Sequence, residues 1–147
     1  MRVRWAVLAS FPRDEQNGFL GFENACFNRA VFASLPTYVI VVVALAVEPE
    51  PGDPDEGWTL APVVTGPDLR PISNVECVFP AAKPPAEAAI VRPRLRFGLL
   101  QQGPHRIAWR SADSDEAEAT TLWVSTPVTP ILGRTAQSRV WGSALEG

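Results

Sequence analysis

Acidic residues concentrate in two segments of the chain and are the first candidates for chemistry. Glu48 to Gly57 has the sequence EPEPGDPDEG, with five acidic residues, three prolines and no basic residue, and Ala112 to Ala119 is ADSDEAEA. Ca²⁺ takes about six to eight oxygen ligands and could bind such loops. The candidate ligands are Asp53, Asp55, Asp113 and Asp115. Their spacing is not that of an EF-hand and the prolines restrict wrapping, so we favour simple solubility and assign no metal site.

The two acidic segments are expected to lie at the same end of the fold. If every connection reverses the chain, the links after the first, third, fifth and seventh predicted strands emerge together. The turn that contains Asp14 and Glu15 would join the same rim. The parity of the strands therefore predicts one acidic rim.

A second array has the opposite charge. Arginines recur at period two beside Val91, Leu95 and Phe97, and two more lie on one face of the next predicted strand, so a hairpin of these strands would align five of them: Arg92, Arg94, Arg96, Arg106 and Arg110. Guanidinium groups bind carboxylates and phosphates bidentately. The alternative, which we favour, is a solvated sheet face that discourages edge-to-edge aggregation. A functional stripe would bind an acidic partner protein or the acidic rim of a second copy, rather than DNA, because the net charge is −3.

The chain has one histidine, His105, which follows Gly103 and Pro104. We expect a solvated turn histidine, and the alternative is a base beside a serine or cysteine. The sequence has no GxxxxGK[ST], GxSxG, HExxH or CxxC pattern. We therefore assign no catalytic residue and no cofactor, and an enzyme that uses carboxylates such as Glu23 or Glu76 is the third-ranked hypothesis.

Aromatic residues suggest a core and a docking segment. Four tryptophans lie in predicted strands, where core packing is favoured over stacking on carbohydrate: Trp5, Trp58, Trp109 and Trp123. Val140 and Trp141 lie in the terminal segment RVWGSALEG. An apolar cluster in a polar terminus often docks onto a partner or onto its own domain. These two residues are therefore candidate interaction residues.

The elements that must position these residues are short strands. Fifteen prolines and ten glycines divide the chain, and Asn17-Gly18 is a hairpin signal. The apolar run Tyr38 to Val47 is shorter than the roughly 20 residues of a membrane helix and is predicted to be a central strand buried on both faces. The eight predicted strands are Arg2–Ser10, Phe19–Phe32, Tyr38–Val47, Trp58–Thr65, Ile72–Phe79, Ile90–Leu100, His105–Ser111 and Thr120–Ser125.

These strands predict an all-β protein, an antiparallel β-sandwich of about eight strands, with a closed barrel as the less favoured alternative. The sandwich domain is expected over residues 1–125, followed by a poorly regular tail over 126–147 that is either partner-docking or disordered. A chain of 147 residues with 46% apolar residues is long enough for one core.

Composition also bears on compartment and source. Met1 to Phe11 has two arginines before a short apolar run, which makes a poor secretory signal, so we expect a cytoplasmic protein with Cys26 and Cys77 as free thiols. Twelve of the thirteen basic residues are Arg, which is typical of a GC-rich bacterial genome.

The order of motifs adds a resemblance. WAVLAS, an acidic turn that ends in NG, FLGFENACFNRAVFASLP and, later, LRFGLLQQGPHRIAWRSADSDEAEATTLWV together resemble an uncharacterised bacterial family of small β-sandwich proteins known only as a domain of unknown function. The likeness covers Arg2 to Val124. It implies a fold and no activity, and Ala9-Ser10 stand where such proteins typically have Cys-Asp.

The sequence therefore predicts a non-enzymatic bacterial module that acts through protein–protein contact, as an accessory subunit or an oligomer. A protein partner or self-association is expected, without nucleic acid or membrane. The alternative is a ligand-binding module that uses the acidic rim for Ca²⁺ or a face of the sandwich for a carbohydrate.

Overall fold

A computed structural model describes residues 1–9, 11–14, 20–23, 28–54, 56–111 and 117–127, with the backbone alone for 11–14, 20–23 and 117–119. Within these residues the chain is all β, without a helix. Its eleven strands are β1 (Arg2–Ala9), β2 (Phe11–Asp14), β3 (Leu20–Glu23), β4 (Arg29–Val31), β5 (Thr37–Glu48), β6 (Ala61–Thr65), β7 (Glu76–Val78), β8 (Ala89–Val91), β9 (Arg94–Leu99), β10 (Gly103–Arg110) and β11 (Ala117–Ser125).

Two sheets form the sandwich. The large sheet has the order β1-β5-β9-β7, with β8 also paired to β5, and the small sheet has the order β4-β11-β10-β6. All pairs are antiparallel except β11 with β4. The predicted antiparallel sandwich is confirmed, with this one parallel pair as an addition.

The core lies between the sheets because the strands alternate. In β9, Leu95, Phe97 and Leu99 are fully buried while the residues between them are exposed or half-buried. From the small sheet, Ile107 and Trp109 of β10 join the same apolar cluster. Side chains at every second position of two facing sheets thus form one core.

The strand boundaries differ from prediction where the chain changes sheet. The predicted second strand is two strands, β3 and β4, and β4 belongs to the small sheet. β2 and β3 form a two-stranded ladder of their own. The predicted hairpin of the first strand with the second is wrong, because β1 pairs with β5 and β2 includes Asp14, which the sequence assigns to the turn. Asn17 and Gly18 lie outside the described part of the chain.

The predicted sixth strand is interrupted at Arg92-Pro93, where it divides into β8 and β9. Both parts pair with β5, and the Val43 amide donates to the Pro93 carbonyl at 3.0 Å across the break. Proline has no N–H for a ladder, and among the described residues β8 has a paired strand on one side alone.

Burial of β5 on both faces is wrong for its first half. Val39, Val41 and Val43 are buried in the core, but Tyr38 and Ile40 point to the outer face and are 66% and 62% exposed. A continuous apolar run has no period-two signal, so the sequence alone does not distinguish a covered face from an open one.

The strand parity behind the predicted acidic rim is wrong for the link after β1, whereas most of Ala112 to Ala119 lies outside the described residues and its place in the rim stays a prediction. β1 and β5 are antiparallel, with Arg2 opposite Glu48 and Ala9 opposite Val42. The chain therefore leaves β1 at the end of the sheet opposite to the end where it leaves β5. The parity rule fails because β2, β3 and β4 intervene and do not simply reverse the chain within one sheet.

Cys77 is a free thiol, and its burial raises its pKa to about 11. Cys26 lies outside the described residues. Across the described ranges, no helix has the length and apolar character needed to cross a membrane.

Candidate interaction surface

The large sheet presents its arginines on its outer face. Arg94 lies opposite Val42, and Arg96 lies opposite Ile40, with both arginines exposed and Leu95 buried between them. Arg92 lies two residues before Arg94 in the chain and is half-buried. The predicted alternation of this segment is confirmed.

The single stripe of five arginines is wrong. Arg106 and Arg110 belong to β10 of the small sheet, where they are exposed on the other outer face of the sandwich. A β9–β10 hairpin cannot form because both edges of each strand are already paired, β9 with β5 and β7, and β10 with β6 and β11. The turn between β9 and β10 therefore crosses from one sheet to the other, and each strand turns its apolar residues towards the shared core.

Large apolar side chains surround the arginines of the large sheet. Val78 of β7 lies opposite Arg94 and is 56% exposed, and it joins Tyr38 and Ile40 on this face. We call the surface formed by Tyr38, Ile40, Val78, Arg94 and Arg96 the arginine face. Sequence reasoning missed its apolar members because it treated β5 as buried on both sides.

The two arginines of the arginine face have different partners. The Arg96 guanidinium carbon lies 4.6 Å from the centre of the Tyr38 ring, and Arg96 Nη1 lies 3.6 Å from Glu76 Oε2. Arg94 has no ion pair with a carboxylate of the described residues. Arg96 thus lies against Tyr38 and near one carboxylate, whereas Arg94 offers its guanidinium group to solvent.

The acidic loop after β5 is occupied by the chain's own amine. The α-amino group of Met1 pairs with Asp53 Oδ1 and lies 3.2 Å from Glu50 Oε2, while Asp53 Oδ2 accepts the Glu50 amide at 2.7 Å. The Glu50 amide and the ammonium group lower the pKa of Asp53. Burial alone would lower the pKa of the amine, but its bonds to Asp53 and Glu50 raise it above 8.0.

This pairing bears on the predicted Ca²⁺ ligands. Asp53 is the one member of that set within the described residues, and a cation would have to displace the ammonium group from it. Asp55, Asp113 and Asp115 lie outside. In the part of the chain that the structure describes, no three His, Cys, Asp or Glu side chains are grouped to hold a metal.

His105 is buried, so the prediction of a solvated turn histidine is wrong. Gly103 and Pro104 already pair with Val124 and Trp123 of β11, so β10 begins before His105 and turns it inward. Its side chain is 1% exposed, and its Nδ1 lies 3.1 Å from the Gly103 carbonyl oxygen. Burial lowers the pKa of His105, partly offset by the Gly103 carbonyl and the charge of Asp68.

A cavity of about 320 Å³ lies beside His105, between the sheet ends and the segment 66–74. We call it the turn cavity, and its polar lining includes Tyr38, Asp68, Arg70, Asn74, Gln101 and His105. Ser73 also lines it, but the described hydrogen bond of the imidazole goes to Gly103 rather than to Ser73 or Asp68. The arrangement is not a nucleophile–base–acid relay, in which the serine and the carboxylate would bond the two ring nitrogens.

Core packing of the tryptophans is confirmed for two of the four. Trp109 is fully buried. Trp58 stacks on Phe79 with the two ring centres 4.2 Å apart, and its Nε1 donates to the Ala81 carbonyl. Trp5 and Trp123 are 40% and 50% exposed, so the prediction is wrong for them. Val140 and Trp141 lie outside the described residues and their predicted docking role stays a prediction.

No family model, curated protein or solved structure matches this chain, and the resemblance to a family of small bacterial β-sandwich proteins stays a prediction.

Proposed function

We propose that this protein is a non-enzymatic interaction module that binds an acidic segment of a partner protein on the arginine face. The observation that carries the proposal is the exposure of Tyr38, Ile40 and Val78 beside Arg94 and Arg96 on one sheet face. Exposed apolar groups that cluster rather than scatter mark interaction sites. Tyrosine and arginine are also the residue types that dominate binding energy at protein interfaces.

The charge of the surface selects the chemistry of the partner. Arg94 lacks a described carboxylate partner, and Arg96 shares a single carboxylate, Glu76, at 3.6 Å. A partner segment with carboxylates spaced by apolar side chains would pair with the arginines and cover Ile40 and Val78. Such a segment would contact both the arginines and the exposed apolar side chains, whereas a polyanion without apolar groups would contact the arginines alone.

The acidic loop after β5 of a second copy is a less suitable ligand than a separate acidic segment. In the loop after β5, Glu50 and Asp53 are paired with the Met1 amine, and Glu48 accepts Arg4 Nε at 2.9 Å. Docking this loop onto the arginine face of another copy would require these pairs to break. A separate acidic protein carries no such penalty, which supports an accessory role.

The non-enzymatic assignment rests on the sequence, which has no catalytic motif, and on the bond of the His105 ring to a backbone carbonyl. A cytoplasmic location and a bacterial origin stay predictions from the sequence.

The test uses the full chain and a short fluorescein-labelled peptide in which Glu alternates with Leu, followed by fluorescence anisotropy. We expect saturable binding that falls by about tenfold or more in the double variant Arg94→Glu/Arg96→Glu, because charge reversal places carboxylates opposite carboxylates. The matched control is Arg106→Glu/Arg110→Glu, which makes the same change in net charge on the other outer face. It should bind within about twofold of the parent.

Three results would contradict the proposal. They are the absence of saturable binding, equal losses in the two double variants, and equal binding of a peptide with Lys in place of Glu. An Ile40→Ser variant tests the apolar component separately and should weaken binding about threefold or more while both arginines remain.

A further inference from the structure

The turn cavity is closed on one side by a rigid turn. Two backbone bonds close this turn: the Gly66 amide donates to the Arg70 carbonyl, and the Leu69 amide donates to the Gly66 carbonyl, each at 3.0 Å. After the turn, the Ile72 amide donates to the Val64 carbonyl at 2.7 Å. Pro67 packs against Gly103, where a Cβ would lie 3.1 Å from the proline ring. Because Gly103 also has a φ of +121°, this close approach requires glycine. The cavity wall is therefore formed before any ligand arrives.

The charges of the lining balance. Asp68 contributes one carboxylate and Arg70 one guanidinium group, and the other polar members, such as Asn74 and Gln101, are uncharged. One carboxylate oxygen of Asp68 accepts the Arg70 amide at 3.1 Å, which fixes the carboxylate in place. A lining of this kind has no excess charge for an ion, but it contains both hydrogen-bond donors and hydrogen-bond acceptors.

His105 belongs to this lining, and its bond to Gly103 fixes the tautomer of the ring. The Gly103 carbonyl can only accept, so Nδ1 carries the proton and Nε2 of the neutral ring has a lone pair. The ring is almost fully buried and belongs to the cavity lining. A buried acceptor of fixed tautomer matches a group that donates a hydrogen bond, such as a hydroxyl.

The backbone at Asn74 is held in a conformation that most side chains avoid. Its φ is 59°, and Leu69, which lies in the preceding turn at 66–70 and is 85% exposed, has a φ of 63°. Non-glycine residues are uncommon in this region, although asparagine adopts it more readily than most, and such positions concentrate at binding sites. At Asn74 this conformation accompanies an amide side chain in the cavity lining.

We infer that the turn cavity binds an uncharged polyhydroxylated molecule of about monosaccharide size. Each hydroxyl both donates and accepts, which suits a neutral lining of mixed donors and acceptors. The volume of the turn cavity, about 320 Å³, lies at the lower end of the roughly 300 to 1,000 Å³ that small-molecule pockets have. The Tyr38 ring offers an apolar surface for the carbon face of such a ring.

The test uses the imidazole as its reporter, since His105 is the sole histidine of the chain. The Hε1 resonance is followed by NMR while glucose, galactose, mannose and myo-inositol are added in turn to the full chain, with glucuronate and glucosamine as charged comparators. We expect at least one neutral compound to shift the resonance saturably, with a Kd of about 10 mM or tighter.

A matched pair of variants separates a binding role from a folding role. Asn74→Gly and Leu69→Gly make the same backbone change at two positive-φ positions of the segment 66–74, and glycine accepts both conformations. Asn74→Gly should weaken binding about fivefold or more, whereas Leu69→Gly should leave it within about twofold.

The inference is overturned if no neutral compound shifts the resonance saturably, if a charged comparator binds more than about tenfold tighter than every neutral one, or if the two glycine variants behave alike. The acidic-peptide measurement on the arginine face is independent of each of these results.

Discussion

The arginine face and the turn cavity are neighbours that share Tyr38 yet are built by different means. Tyr38 contacts Arg96 on the arginine face and also lines the turn cavity. The face consists of alternate side chains on regular strands, where charge stays exposed to water. The cavity consists of a turn closed over a strand, where the polar lining is balanced in charge and His105 is buried. From this difference we expect binding on the arginine face to depend on salt and binding in the turn cavity to depend on it little.

The largest expected effect tests whether the arginine face is open in solution. Leu95 is fully buried, whereas Ile40, which belongs to the neighbouring strand, is largely exposed. Leu95→Ala should lower the free energy of unfolding by about 2 to 5 kcal/mol, and Ile40→Ala by less than about 1 kcal/mol, measured by urea unfolding. Similar losses would mean that Ile40 is covered, and the arginine face would not be a free surface.

The second prediction concerns how the stability of the fold depends on pH through the buried imidazole of His105. Its folded-state pKa is lowered, so the unfolded chain takes up a proton first as the pH falls below about 6.5. The stability contribution is complete above that pH and is lost as the pH falls towards the folded-state pKa, with a slope of at most about 1.4 kcal/mol per pH unit.

His105→Asn is the control, since its amide can donate to the Gly103 carbonyl without titrating. Urea unfolding between about pH 5 and 7 should show a flatter pH profile in this variant than in the parent. Parallel profiles would contradict a neutral, buried imidazole in the folded state.

The third effect separates the two sites by salt. Raising NaCl from about 50 to 500 mM should weaken the acidic peptide about tenfold, because the charges of the arginine face are screened by solvent ions. Sugar binding in the turn cavity should change by less than about twofold. Equal salt dependence in the two titrations would remove the electrostatic distinction between them.

The smallest effect concerns the exposed Arg96–Glu76 pair. Glu76→Gln should strengthen peptide binding about two- to threefold, because it removes the carboxylate that competes for Arg96. The unfolding free energy should change by less than about 0.5 kcal/mol, since pairs this exposed stabilise little. Weaker peptide binding in this variant would show that Glu76 orients Arg96 for the partner rather than competing with it.

Local patterns in the sequence were sufficient to predict several structural features of the protein. Alternation over Arg94 to Leu99 predicted which side chains are buried, because the two-residue period of a strand is a property of the backbone itself. The all-β class followed from prolines, glycines and β-branched runs for the same local reason. Asn17-Gly18 predicted a hairpin in this region because tight turns need residues that tolerate positive φ, but the strands of the ladder are β2 and β3, while β1 pairs with β5.

The partners of each strand were decided by the tertiary structure. β9 and β10 are adjacent in sequence, yet they lie in different sheets because other strands occupy all four of their edges. That arrangement separated Arg94 and Arg96 from Arg106 and Arg110, and it buried His105 beside the segment 66–74. Sequence determined which residues share a face of one strand, and packing between strands decided which faces are covered, since burial depends on neighbours that are distant in the chain.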